Sequence, residues 1–282
     1  MKKIVLLLFF CNPFINSNGQ QNDSQAAVYN VVIGSVIGGI GSIINKKKDE
    51  NALERFAKGS VQGALGGYVV FESKRILRSY SKTNSVGYIW PSKILNSAGN
   101  SMIQNAAANR NFWEKWSINI GFNHIEYDYK KEKKISYRIM PIALIGTVDG
   151  FINGNIDINR TLTHGQFIFK SKSNINNNYK ASTLINAVSY SPMQENELNN
   201  ILTHEIIHVY QYEGTFIFKS LLNKKEIYWS ETSKLYRKYE GIFYFDYNYL
   251  VHASTVGVQN LFGIPLHNQI QEREASYYEF KN

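Results

Sequence analysis

Two histidines four residues apart, with a glutamate beside the first, are the chain's most chemically suggestive residues. They lie in Thr203-His204-Glu205-Ile206-Ile207-His208-Val209-Tyr210-Gln211. On a helix this spacing is about one turn, so both imidazoles share a face. Two imidazoles so placed converge on one tetrahedral metal ion and leave room for a third protein ligand and a water. Glu205 then holds its carboxylate where it can take a proton from that water instead of binding the ion.

The flanking sequence supplies the helix this geometry needs. Ser191 reads as an N-cap, Pro192 as the first helical residue and Gln194 as the end of a capping box. Glu195 and Glu197 place negative charge at the positive end of the helix dipole. Leu198, Ile201, Leu202 and Val209 recur at helical spacing, which predicts a buried stripe with the histidines facing another way. Gly214 ends the pattern.

Before this helix the pattern is strand-like. Ser117 to Tyr129 alternates around Ile118, Ile120, Phe122 and Ile125, and Ile135 to Ile145 continues after the charged turn Lys130 to Lys134. Gly146 to Asn155 reads as a turn region, Ile156 to Leu162 and Gln166 to Lys170 as further strands, and Ser171 to Lys180 as a loop. Helical character returns over Phe216 to Asn223, Glu231 to Tyr239, Val251 to Leu261 and His267 to Phe280.

The N-terminal part differs. Lys2-Lys3, the apolar run Ile4 to Phe10 and Ser17-Asn18-Gly19 read as an export signal over 1-19, which implies a periplasmic, envelope or secreted location. The single cysteine, Cys11, falls inside it, so the mature chain forms no disulfide. Loss of Lys2 and Lys3 takes the formal charge from +9 to +7. That is enough to favour anionic surfaces, but there is no basic-aromatic pattern for nucleic acid.

Ser24 to Asn45 carries no charge, and Gly34 and Gly38 repeat the four-residue spacing of Gly59, Gly63 and Gly67 in the next segment, Ala52 to Tyr80. Glycines at that spacing strip one helix face to backbone and admit a close partner helix. The uncharged part of the second segment, Gly59 to Phe71, is too short to cross a bilayer. A soluble or peripheral helical hairpin is therefore expected, with membrane or envelope contact through it as a further expectation. Pro91 to Arg110 reads as a third helix striped by Ile94, Leu95, Ala98, Met102, Ile103 and Ala106, followed by anchoring aromatics Phe112, Trp113 and Trp116.

The His-Glu-Ile-Ile-His segment resembles the HExxH motif of zinc metallopeptidases, the zincins, and His-Glu-Ile-Ile-His-Val-Tyr-Gln is similar to the HExxHVxQ of predicted bacterial zincins of unknown substrate. No third histidine follows at metzincin spacing. The tail Glu272-Arg273-Glu274-Ala275-Ser276 instead resembles the ligand helix of gluzincins. That likeness implies Zn²⁺ held by His204, His208 and Glu272, with Glu274 as the rival ligand. Ser276 stands where those proteins carry a supporting Asp.

The resemblance implies an α+β fold: a zincin-like domain over 113-282 behind an N-terminal helical region, 20-112. It also implies that an edge strand pairs with extended substrate, for which Gln166 to Lys170 is the candidate. The activity implied is hydrolysis of peptide or protein substrates by a zinc-bound water, with Glu205 as general base. His252, Tyr277 and Tyr278 are candidates to donate to the oxyanion. His124, His164 and His267 are expected at the surface or in structural roles. The alternative is a non-enzymatic envelope protein whose metal site is structural or vestigial.

Overall fold

The computed structural model describes residues 22–172, 180–193, 195–215, 217–246 and 249–279. The expected signal segment, Gln194 and most of the Ser171 to Lys180 loop lie outside the described residues. The architecture is α+β, with two small sheets among helices.

The glycine spacing produces the hairpin it predicts. Helices α1 (Asp23–Asn45) and α2 (Ala52–Thr83) pack so closely that a Cβ on Gly34 would collide with the carbonyl oxygen of Gly63. Gly38 and Gly59 stand in the same relation, as do Gly67 and Asn30. Asn22 and Asn51 cap the two N-termini through their side-chain oxygens. By length and composition alone α1 could cross a membrane.

Helix α3 (Ile89–Ala107) lies on α2, with Gly99 against Gly66. It keeps the expected stripe in part: Ile103 and Ala106 are buried and Leu95, Ala98 and Met102 half-buried, but Ile94 is 55% exposed, and Ser92, Lys93, Asn96, Asn100 and Asn105 are buried as well. Ile103 packs beside Gly66 and Val70 of α2, and the buried polar groups find partners of their own. Ser92 donates to Ser73 O at 2.8 Å, and Asn105 to the carbonyls of Phe112 and Lys115. Trp113, expected as an anchor, is half exposed.

The segment expected to be one strand, 117–129, is a hairpin of β1 (Lys115–Ile120) and β2 (Asn123–Asp128), turning at Gly121 with φ of 55°. β3 (Ile135–Ile139) completes an antiparallel sheet. Here too the polar side faces in, since His124 and Glu126 are buried while Ile125 and Tyr127 are exposed.

The expected strand over Ile135 to Ile145 stops at Ile139. Pro141 opens helix α4 (Pro141–Asn153) across the stretch read as a turn, and Asp246 accepts the free N–H groups of Ile142 and Ala143. Likewise Ile156 to Leu162 is not a strand. β4 (Gly154–Ile156) ends there, and Asp157 caps the short helix α5 (Ile158–His164).

The second sheet runs β4, β5 (Phe167–Ser171), β7 (Ala187–Tyr190), β6 (Ala181–Leu184). β5 pairs on both sides, antiparallel with β4 and parallel with β7, so it is not the edge strand expected at Gln166 to Lys170. β6 is an edge strand, antiparallel to β7.

Helix α6 (Glu195–Gly214) follows, starting three residues after the expected Pro192. Leu198, Leu202 and Val209 pack on the second sheet with Ile168, Val188 and Tyr190. Its opposite flank, Ile206, Ile207 and Tyr210, joins Ala26, Leu77 and Tyr80 of the N-terminal helices and Ala275 and Tyr278 of the tail in one core. Short helices α7 (Ile217–Ser220), α8 (Asn223–Thr232) and α9 (Lys234–Glu240) lead to α10 (Tyr249–Leu261) and the tail helix α11 (Ile270–Tyr278).

Candidate metal centre

The face of α6 left between its two packed flanks carries His204 and His208. Ala275 is fully buried, and this small residue lets α11 lie against α6. That contact delivers Glu272 to the histidine pair. His204 Nε2 and His208 Nε2 are 3.0 Å apart, and the two carboxylate oxygens of Glu272 lie 3.3 Å from the first and 3.4 Å from the second. A tetrahedral zinc with bonds near 2.0–2.1 Å needs ligand atoms roughly 3.3 Å apart, so these three groups fit one ion. Their side chains are 15%, 16% and 27% exposed, which leaves the cluster open to solvent on one side.

Charge agrees with geometry. Burial alone would lower the His204 pKa, but hydrogen bonds to Glu272 and Glu279 hold it at about 10. Burial works against the Glu272 carboxylate, yet both imidazoles draw it down to about 2. The site thus favours positive charge between the rings and the carboxylates, and a cation in place of protons meets that demand.

The remaining nitrogens of both rings are held. Glu279, one residue past α11, sits against His204 Nδ1. It takes the supporting place that the sequence left to Ser276. His208 Nδ1 lies 2.9 Å from Gln211 Oε1, and Gln211 Nε2 donates to Gln271 O and to Glu274 Oε2 at 2.9 and 3.0 Å. Glu274 Oε1 in turn accepts from Lys74 Nζ at 2.7 Å, and Lys74 also donates to Asn30. Glu274 is therefore turned away from the histidines, into a chain of contacts that reaches the N-terminal hairpin. Partners of this kind fix ring orientation and ligand basicity.

Glu205 is buried. Thr183 Oγ1 on β6 donates to its Oε2 at 2.6 Å and to its backbone carbonyl at 3.1 Å. Burial raises its carboxyl pKa against the opposing pull of His208 and His204. The helix carrying the histidine pair and the sheet edge are thus joined through Glu205, the expected general base.

The other sequence candidates separate. Tyr278 lies in the shared core and Tyr277 donates to Asp23 at the start of α1, so both serve packing. His252 on α10 is the one of the three that senses the site. Burial lowers its pKa, and the charge of His208 adds to the shift. His164 is buried between Tyr80 and the Arg160 carbonyl, and His124 packs on Tyr244 at 3.8 Å, both structural. His267 is exposed.

Thr183, Glu279 and Lys74 were not legible as site residues. Only Glu279 had a signal, seven residues beyond Glu272 and so near the same helical face. No protein-family model, curated protein or solved structure matches the chain.

Proposed function

We propose that the protein is an exported zinc-dependent metallopeptidase of zincin type, with His204, His208 and Glu272 holding Zn²⁺. The observation that carries this reading is the three-residue cluster, whose ligand atoms all lie within 4.8 Å of one another, beside a buried glutamate. Bound zinc would supply Lewis acidity, lowering the pKa of a coordinated water and polarising a carbonyl. Thr183 occupies Glu205 Oε2, which leaves Oε1 to accept the proton of the attacking water and return it to the leaving amine. The outer edge of β6, which pairs with no strand among the described residues, lies next to this carboxylate and offers main-chain groups to an extended peptide. Glu279 and Gln211 hold the imidazoles with Nε2 directed at the metal position.

The test is the Glu205→Gln variant assayed on an unfolded protein substrate such as casein. Zinc binding should persist while hydrolysis falls by about 10²–10⁴-fold. Unchanged hydrolysis would remove Glu205 from the mechanism.

A further inference from the structure

The inward-facing polar side of the first sheet has a second consequence. A cleft of about 470 Å³, lined by none of the residues of the histidine site, opens between β1, β3 and helices α3, α8 and α9. Its size is that of a small-molecule site.

Its inner wall carries more cations than carboxylates. Glu126 Oε2 lies 2.6 Å from both Lys115 Nζ and Arg138 Nη2, and Lys131 Nζ lies 3.9 Å from its Oε1, so one buried carboxylate serves three cations. Arg110 donates to the neutral amide oxygen of Asn223 at 2.6 Å. Lys219 pairs with Glu226 at 3.1 Å and lies over the Tyr244 ring at 4.3 Å. In ion-pair or hydrogen-bond contact these cations, with Lys131, number five among the described residues and meet two carboxylates, Glu126 and Glu226, while Glu114 and Glu240 act on Arg110 and Lys219 by charge. Arg138 is 8% exposed, and its Nε has no hydrogen-bond acceptor among the described residues.

Burial pushes the Lys115 ammonium down to about 8, and Arg110 and Arg138 add to this against the pull of Glu126. Crowded cations of this kind are relieved by an anion. The lining also holds Arg237 together with Asp128, Glu231 and Glu240. Elsewhere the lining is hydroxyl and amide, from Ser101, Gln104, Ser117 and Ser136.

We propose that this cleft binds a small hydroxyl-rich anion, a sugar-like molecule bearing one phosphate or carboxylate group. The acid group sits among Arg110, Lys115 and Arg138, and the hydroxyls face the serine and amide wall. A guanidinium pair matches the planar or tetrahedral oxyanion better than ammonium groups alone. The inference stands apart from the metal site.

Isothermal titration of the full mature chain with glucose 6-phosphate, glucuronate and glucose tests it. Binding by either acid with Kd below about 1 mM, and by glucose at least about tenfold more weakly, is expected. Which acid binds names the acid group. Arg110→Gln, which removes the contact to Asn223 and the charge acting on Glu114 and Lys115, should weaken that binding about tenfold and leave zinc content unchanged. Ser136→Phe, which fills the cleft, should abolish it. Lack of binding by both acids, equal binding of glucose, or binding unaffected in both variants would overturn the proposal. So would inorganic phosphate binding as tightly as glucose 6-phosphate, since the hydroxyl wall would then add nothing.

Discussion

At the scale of residues, the candidate site is a set of donor groups with a carboxylate and an amide beside the outer nitrogens of its two imidazoles. Glu279→Gln removes the charge beside His204 Nδ1 without removing a ligand. It should weaken zinc binding by about 10–100-fold while the melting temperature of the zinc-loaded protein changes little. Competition with a chromogenic chelator measures this, and unaltered affinity would make Glu279 a bystander. Lys74→Met strands Glu274 in a nearly dry contact, with both side chains under a tenth exposed. A loss of about 3 kcal/mol in urea unfolding is expected, together with weaker zinc binding through Gln211 and His208. The candidate histidine pair was legible because helical spacing alone aligns His204 with His208. Glu272 required a likeness in the tail. Thr183 and Lys74 were not legible, because strand pairing brings Thr183 to Glu205 on α6 from 22 residues away and hairpin docking brings Lys74 to Glu274 on α11 from 200 residues away.

At the scale of elements, close approach and open space make opposite predictions for glycine. Gly63→Ala sets a Cβ against the Gly34 carbonyl, backbone that cannot yield. It should cost about 1–3 kcal/mol despite alanine's better helix propensity. Gly257→Ala, on α10 with nothing within 4 Å of the new Cβ, should instead stabilise by up to about 1 kcal/mol. Thermal melts of the two variants should move in opposite directions, and equal shifts would contradict the tight hairpin.

The glycine spacing, the HExxH helix and α10 were readable because each is a local periodic pattern. The helix at Pro141 was not, since its first turn depends on Asp246 a hundred residues later. Nor was the inward polar side of β2, which alternation assigns to solvent. There burial holds the His124 pKa down at about 4, against the opposing pull of Glu126. Above pH 6.5 His124 is neutral in both folded and unfolded chains and contributes nothing. As pH falls from 6.5 towards 4, the unfolded chain takes up a proton that the folded one refuses. Stability should therefore drop by about 2 kcal/mol between pH 6.5 and 5, before carboxylates titrate. His124→Gln should flatten that slope in urea titrations at the two pH values, and an unchanged slope would place its origin elsewhere.

At the scale of the whole molecule, one core binds the N-terminal helices, α6 and the tail together. Glu272 reaches the histidines only because α11 is docked on α6, and α11 is held in turn by Arg78, Asp23 and Lys74 of the hairpin. Hairpin, helix and tail are one support for three donor atoms. The most direct measurement is the zinc content of the purified mature protein by mass spectrometry, beside Glu205→Gln and His208→Ala. The account predicts close to one zinc per chain in the native protein and in Glu205→Gln, and almost none in His208→Ala. Native protein that stays free of zinc after equilibration with micromolar zinc, or His208→Ala that still holds a full equivalent, would contradict it.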